Sequence, residues 1–365
     1  MGFNSFIGNA KTVEVVQDIL ASRRIPHAFL FSGPDGVGKK TLAIMFAKAL
    51  NCQRKRDDFC GDCTRCRKAE EMLDVASRDL TARRDLKDPA RRAEGFVYFD
   101  LQVIEPLTRF ILIEQIRQLR NVAYTLPFEL PCRVFIIDQA QAIHWQAVDL
   151  LLKLLEEPPE TTTLILICPN YFELRPTIRS RCRLIRFVPV EESIIVRVLA
   201  KDGRVPQNQW PLVARLAAGS IARAKGFDLQ DFQHRRRPWL GYLSSLVEGA
   251  ATLGRVSNYE LLFDSTKALT EDRDQFRETL RIGYSLLSDL MRILVGQSDS
   301  EVTNIDIVGR LKEWAPKFQL HGIESLKNGL DKAYRLYARN VNLQLCLDAL
   351  AAEFHSLMGA GDSGW

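Results

Sequence analysis

An apolar run, Ala28 to Phe31, leads straight into Ser32-Gly33-Pro34-Asp35-Gly36-Val37-Gly38-Lys39-Lys40-Thr41, and apolar residues at helical spacing follow to Leu50. Gly33, Gly38 and Lys39 fall at the spacing G-x-x-x-x-G-K. That pattern needs a strand, a tight glycine-rich turn and a helix, in that order. The glycines let backbone N–H groups wrap phosphate oxygens, and the helix start adds the positive end of its dipole. Gly33, Gly36, Gly38, Lys39 and Thr41 are therefore candidate nucleotide-binding residues, with Lys39 reaching for the terminal phosphates. One position departs from the pattern. Lys40 stands where a hydroxyl would ligate Mg²⁺, and an ammonium cannot ligate a cation and repels one.

The rest of the first half reads as the same kind of structure. Strand-like runs recur at 27–31, 133–137, 163–168 and 184–187, with helical stretches between them, such as 145–157, and another at 12–23 before the first. This alternation predicts a parallel sheet covered by helices. After Pro189 the strand signals stop. Residues 191–228 read as short helices with a break at Gly219-Ser220, and 230–357 as almost wholly helical, for example 274–295 and 325–358. The tail 359–365 is rich in glycine and is expected to be disordered. The dense mixed charge of 67–96 predicts a short helix and then a solvated insertion, with a basic nucleic-acid contact as the alternative. The run Arg235-Arg236-Arg237 reads as a solvated linker rather than a DNA patch.

Composition narrows the setting. A net charge of +5 on 365 residues permits nucleic-acid contact without arguing for it. No apolar run is long enough to span a membrane. The opening residues, Met1 to Phe6, lack the charged-then-apolar order of a secretory signal, so a cytoplasmic location is expected. Of eight cysteines, Cys52, Cys60, Cys63 and Cys66 cluster as C-x7-C-x2-C-x2-C and the others are scattered. This is not a disulfide framework and suits a reducing compartment. Two overlapping C-x2-C pairs plus one upstream cysteine can supply four thiolates to a tetrahedral Zn²⁺ and leave no ligand position open, so a structural site is predicted. Four free cysteines, or an iron–sulfur cluster, are the alternatives.

Val134 to Ile137 is an apolar strand ending in Asp138, which would sit opposite the phosphate loop and hold Mg²⁺ directly or through water. Read alone, Asp138 is equally a strand-end turn residue; the phosphate loop gives it weight. In ATPases of this build a glutamate follows to polarise the attacking water, whereas here it is Gln139. An amide can orient a water, but losing a positioned base costs ~10²–10⁴-fold in rate. Lys40 and Gln139 together predict that any ATP or ADP taken up is held and not hydrolysed.

Downstream lie Leu151-Leu152-Lys153-Leu154-Leu155-Glu156-Glu157-Pro158-Pro159 and Ser180-Arg181-Cys182. With Pro26 to Pro34 and the cysteine module, these segments resemble the bacterial clamp-loader AAA+ family over residues 5–225, and more weakly over 230–357. The resemblance implies a fold that is α/β plus all-α. A RecA-like AAA+ nucleotide-binding domain would span 1–190 and carry the zinc module at 52–66. A helical lid would span 191–228 and a helical collar domain 229–358. It implies that Arg181, in the SRC segment, acts catalytically in trans, projecting into a neighbouring subunit's ATP site; a surface salt bridge is the alternative. It implies that Arg223, in Gly219-Ser220-Ile221-Ala222-Arg223-Ala224, faces the chain's own nucleotide, and that Ile7-Gly8 lies near the adenine. Cys168-Pro169-Asn170 stands where the family often has a polar sensor residue such as Thr. The implied partners are the loader's gamma/tau and delta subunits in a hetero-oligomer, the sliding clamp, and primer-template DNA contacted without sequence preference. An ATP-hydrolysing subunit of the same loader, and an AAA+ adaptor outside replication, are the competing functions.

Overall fold

A computed structural model of the chain describes residues 2–88, 91–93, 98–251, 256–272, 275–337 and 341–360. Among these, five strands form one parallel sheet: β1 (Ala28–Ser32), β2 (Leu101–Ile104), β3 (Arg133–Ile137), β4 (Thr162–Cys168) and β5 (Arg183–Arg186). Their order is β2-β3-β4-β1-β5. Strands buried on both faces of a parallel sheet read as continuous apolar runs rather than alternating ones, and every residue of β1, β3 and β4 is buried. Alternate side chains then divide between two cores. Phe29, Phe31, Val134, Ile136, Ile165 and Ile167 pack with α1 (Ala10–Ser22), α2 (Lys39–Asn51) and α3 (Thr64–Arg84). Leu30, Phe135, Ile137, Leu164 and Leu166 pack with α4 (Ile113–Ala123), α5 (Val148–Glu156) and the short α6 (Pro176–Arg179).

The register places the site. Ser32 pairs with Cys168, and Ile137 with Leu166, so β1 and β3 end on either side of β4. Residues that follow them, Gly33 and Asp138, rise together at the carboxyl edge of the sheet, where open α/β sheets bind ligands.

β2 is a strand that the sequence pattern does not announce. It is four residues long, carries the polar Gln102, and follows the charged segment. Tertiary pairing with β3, Leu101 to Val134 through Ile104 to Ile137, holds it in the sheet. Asp100, just before it, is buried with Arg133 at 2% and 4% exposure. One Asp100 oxygen accepts N–H bonds from Phe128, Glu129 and Leu130 at 2.6–3.0 Å; the other accepts from Arg133 Nη2 at 3.0 Å. Burial pushes this carboxyl up, but the three amides and the guanidinium outweigh it and hold its pKa below the ordinary value. Asp100→Ala leaves the buried guanidinium bonded to the carbonyls of Val122, Thr125 and Leu126 but without its counter-charge, and is expected to cost ~3–5 kcal/mol in denaturant unfolding. The wild-type contribution should be full above the unfolded pKa of about 3.9 and be lost as pH falls through the lower folded value.

The chain divides into two compact units, Met1–Arg204 with Ala217–Lys225, and Val205–Leu216 with Gly226–Trp365. The first takes α7 (Glu192–Asp202) and, after the chain leaves it, α9 (Ile221–Lys225); the second takes the intervening α8 (Trp210–Leu216). These units cut the chain elsewhere than the expected boundaries at 190 and 228. Val190 N–H donates to Gly219 O at 3.0 Å and Ala222 N–H to Gly36 O at 3.2 Å, tying 217–225 to the sheet. Arg215 donates to Val302 O at 2.6 Å, tying α8 to the later helices.

The second unit continues with α10 (Leu229–Ala251), α11 (Val256–Thr270), α12 (Phe276–Leu294), α13 (Val308–Tyr337, interrupted at Gln319) and α14 (Leu343–Ala360). Trp239, Tyr242, Phe276, Phe318 and Phe354 fill its core. Three expectations change here. The helix expected across 325–358 is two helices, with Val341 and Asn342 non-helical between them. Residues 359–360 close α14, while the rest of the expected tail, 361–365, lies outside the described residues. Arg235 to Arg237 is no linker. It lies within α10, with Arg235 bonded to Asp231 at 2.7 Å and Arg236 buried and bonded to Asn304 and Asp306 at 3.1 and 2.8 Å. Only Arg237 of the three is exposed.

Candidate functional site

The phosphate loop is built by backbone conformation before any ligand is considered. Gly36 and Gly38 sit at φ +76° and +98°, a region that strains residues with a Cβ. A Cβ on Gly36 would collide with Ser220, and one on Gly38 would come within 2.8 Å of the Phe6 ring. Gly38 caps α2, so the first turn of that helix opens directly on the loop. The cavity beside it measures about 700 Å³. Gly36, Gly38, Lys39, Thr41 and Asp138 line it. Gly33 supports the loop from beneath, its N–H donating to Cys168 O at 3.4 Å. Phe6, whose ring abuts Gly38, and Ile7 also line it.

The two lysines face different partners. Lys39 is 6% exposed and turns onto its own loop, donating to Gly33 O and, at 2.7 Å, to Pro34 O. Lys40 reaches across the carboxyl edge of the sheet. Its ammonium pairs with Glu105 and lies 3.9 Å from Asp138 Oδ2. Glu105, the residue after β2, also takes Arg84 Nη2 at 2.7 Å. Burial raises the Glu105 carboxyl, but Lys40 and Arg84 outweigh it and hold its pKa below the usual carboxylate value. Burial raises Asp138, and the Glu105 charge adds to that against Lys40. A divalent cation at Asp138 would meet the Lys40 ammonium, so the residues present do not fit Mg²⁺. Gln139 holds φ +57° and also lines the cavity.

Sequence reasoning missed Glu105, because β2 itself was not legible. It also missed Lys225, which lines the cavity from α9 together with Ile221 and Ala222. Arg223, on the same helix, is half-buried and is not among the lining residues.

Arg181 lies apart from this cavity, between α6 and β5. Its side chain is 36% exposed and pairs with Glu156 at 2.9 Å, at the end of α5. Nη1 also donates to Thr177 O at 3.0 Å. Asn170 turns its side chain to its own loop, accepting from Phe172 N–H at 3.0 Å.

The four cysteines come together between α2 and α3. Cys52 caps the end of α2, and Cys63 caps the start of α3 by accepting the Cys66 N–H. All four sulfurs lie within 4.8 Å of one another, with Cys52–Cys60 at 3.8 Å and Cys60–Cys66 at 4.0 Å. Tetrahedral bonds of ~2.3 Å to Zn²⁺ separate sulfurs by about 3.8 Å, so the cluster fits that ion. Burial alone would raise the Cys63 thiol, but the N–H groups of Gln53 and Cys66 hold it down, to about 6. Such N–H···S bonds favour the thiolate a metal needs at Cys52 and Cys63, whereas burial and the neighbouring sulfurs push the Cys66 thiol up.

Comparison with known proteins gives these findings. Residues 8–191 match the family described as DNA polymerase III, delta subunit. DNA polymerase III subunit tau of Bacillus subtilis (strain 168) is 27% identical over 230 residues, covering 61% of this chain and 36% of that protein. DNA polymerase III subunit gamma of Buchnera aphidicola subsp. Acyrthosiphon pisum is 29% identical over 229 residues, covering 61% of this chain and 56% of that protein. The chain thus spans less than two thirds of either relative's length. The crystal structure of a gamma subunit-related protein of Thermotoga maritima covers 95% of this chain and 99% of that chain, at 14% identity and a TM-score of 0.42.

Proposed function

The chain belongs to the DNA polymerase III delta-subunit family, and from that premise we propose that it is the delta-prime type of clamp-loader subunit, which lends a cation to a neighbour's ATP site and does not hydrolyse ATP itself. The observation that carries this reading is the contrast between two positions. At the chain's own loop, Lys40 occupies the ground between Glu105 and Asp138, and Gln139 offers no base. Away from that loop, Arg181 presents a partly exposed guanidinium.

Arg181 would set its planar fork against the charge that develops on the neighbour's transferring phosphate, a role for which a permanently charged, bidentate group is suited. The helices of 229–358 would join a collar with the gamma/tau and delta subunits. The assembled complex would open the sliding clamp and seat it on primer-template DNA, through phosphate contacts that carry no sequence information. Zn²⁺ would be held by Cys52, Cys60, Cys63 and Cys66 and serve structure alone.

The purified chain is expected to show no steady ATP turnover above buffer. Turnover that vanishes in Lys39→Ala would overturn the reading. The gamma and tau names of the curated relatives favour a second one, an ATP-hydrolysing subunit, and the same assay separates the two.

A further inference from the structure

Two carboxylates that face a phosphate loop create a demand for positive charge, and in nucleotide sites of this type a divalent cation ordinarily answers it while bridging phosphate oxygens. Here the demand is met from within the chain. Lys40 projects from the first turn of α2, Glu105 from the end of β2 and Asp138 from the end of β3, so three separate elements bring the groups together. The carboxylates are 13% and 21% exposed, while the lysine side chain is 42% exposed. The ammonium therefore neutralises groups beneath it and still faces the cavity, which it lines.

The lining of the cavity is of two chemical kinds. Lys39, Lys40 and Thr41 are polar or cationic, and Phe6, Ile7 and Ile221 are apolar. Its volume of about 700 Å³ falls within the ~300–1,000 Å³ of small-molecule sites. Cations at a helix start together with apolar side chains match a polyphosphate joined to a flat, weakly polar ring. Lys39 would exchange the carbonyls of Gly33 and Pro34 for phosphate oxygens, a charge-assisted partner of greater strength.

We propose that this cavity takes a nucleoside di- or triphosphate free of divalent metal, with Lys40 supplying the charge that a metal would bring. The proposal rests on the loop being a phosphate cradle and is independent of what Arg181 does in a partner's site.

The test is binding of ADP and ATP carrying a fluorescent ribose label to the full chain, in EDTA and in millimolar magnesium. Wild-type affinity should agree between the two conditions within about twofold, and Lys40→Thr, which restores a ligating hydroxyl, should become about tenfold tighter with magnesium than without. Lys40→Met, which removes the charge and adds no ligand, should weaken binding in both conditions, with circular dichroism showing that the fold is kept. Wild-type binding that tightens about tenfold on adding magnesium, or no saturable binding in either condition, overturns the proposal. Neither result touches the trans role of Arg181, which is read from ATP turnover in the assembled complex.

Discussion

Arg181→Ala is expected to lower ATP turnover at the adjacent subunit's site by on the order of 10³-fold in a reconstituted loader, the scale of an arginine supplied in trans. Assembly should survive. The ion pair with Glu156 is more than a third exposed on both sides, and such pairs are worth about 0–1 kcal/mol, so its loss leaves the fold intact. Arg181→Lys sharpens the test. It keeps a positive charge but loses the planar fork, so a role in bidentate phosphate contact predicts only partial recovery, whereas a role in pairing with Glu156 predicts nearly full recovery. Turnover that is unchanged in the alanine variant, with the complex still assembled, would remove Arg181 from the mechanism.

The second large effect concerns the cysteine module. Metal analysis of the purified chain is expected to find one zinc per chain, and Cys63→Ser to find none. Structural Zn²⁺ in small four-ligand sites carries roughly 10–16 kcal/mol of apparent binding free energy, which appears as folding free energy of the segment that holds it. That segment is not peripheral to the sheet unit. Phe59, Cys63 and Cys66 are buried in the same core as Phe46 of α2 and Met72 of α3. Chelation should therefore loosen the α2–α3 junction, read as proteolytic cleavage within 52–66 and a lowered melting temperature. Visible absorbance from bound iron, or a metal-free chain of unchanged stability, would contradict this.

What was legible in the sequence follows from local physics. The strand-loop-helix at 28–51 is announced by apolar runs and glycine spacing, both short-range signals. β3 and β4 read clearly because a sheet buried on both faces imposes unbroken apolar runs. The cysteine cluster reads because four ligands within fifteen residues can meet around one ion with little chain to arrange. β2 did not read, since four residues with a glutamine among them become a strand only when β3 lies alongside. With β2 went Glu105, and with Glu105 the partner that explains where the Lys40 ammonium goes. Sequence alone identified Lys40 as an unsuitable metal ligand; only the fold brings it between two acids. Arg235 to Arg237 failed for the opposite reason. A charge run suggests solvent, and nothing nearby in sequence reveals that Asn304 and Asp306, about seventy residues on, receive Arg236.

Ala222 N–H is bonded to the carbonyl of Gly36, and Ser220 stands where a side chain on Gly36 would have to go. The turn that would grip a polyphosphate is thereby coupled to a helix more than 180 residues further along the chain. Any rearrangement of that turn must either carry the helix with it or break the bond between them. A ligand that shifts the cradle would therefore shift that helix as well, whether or not any chemistry follows.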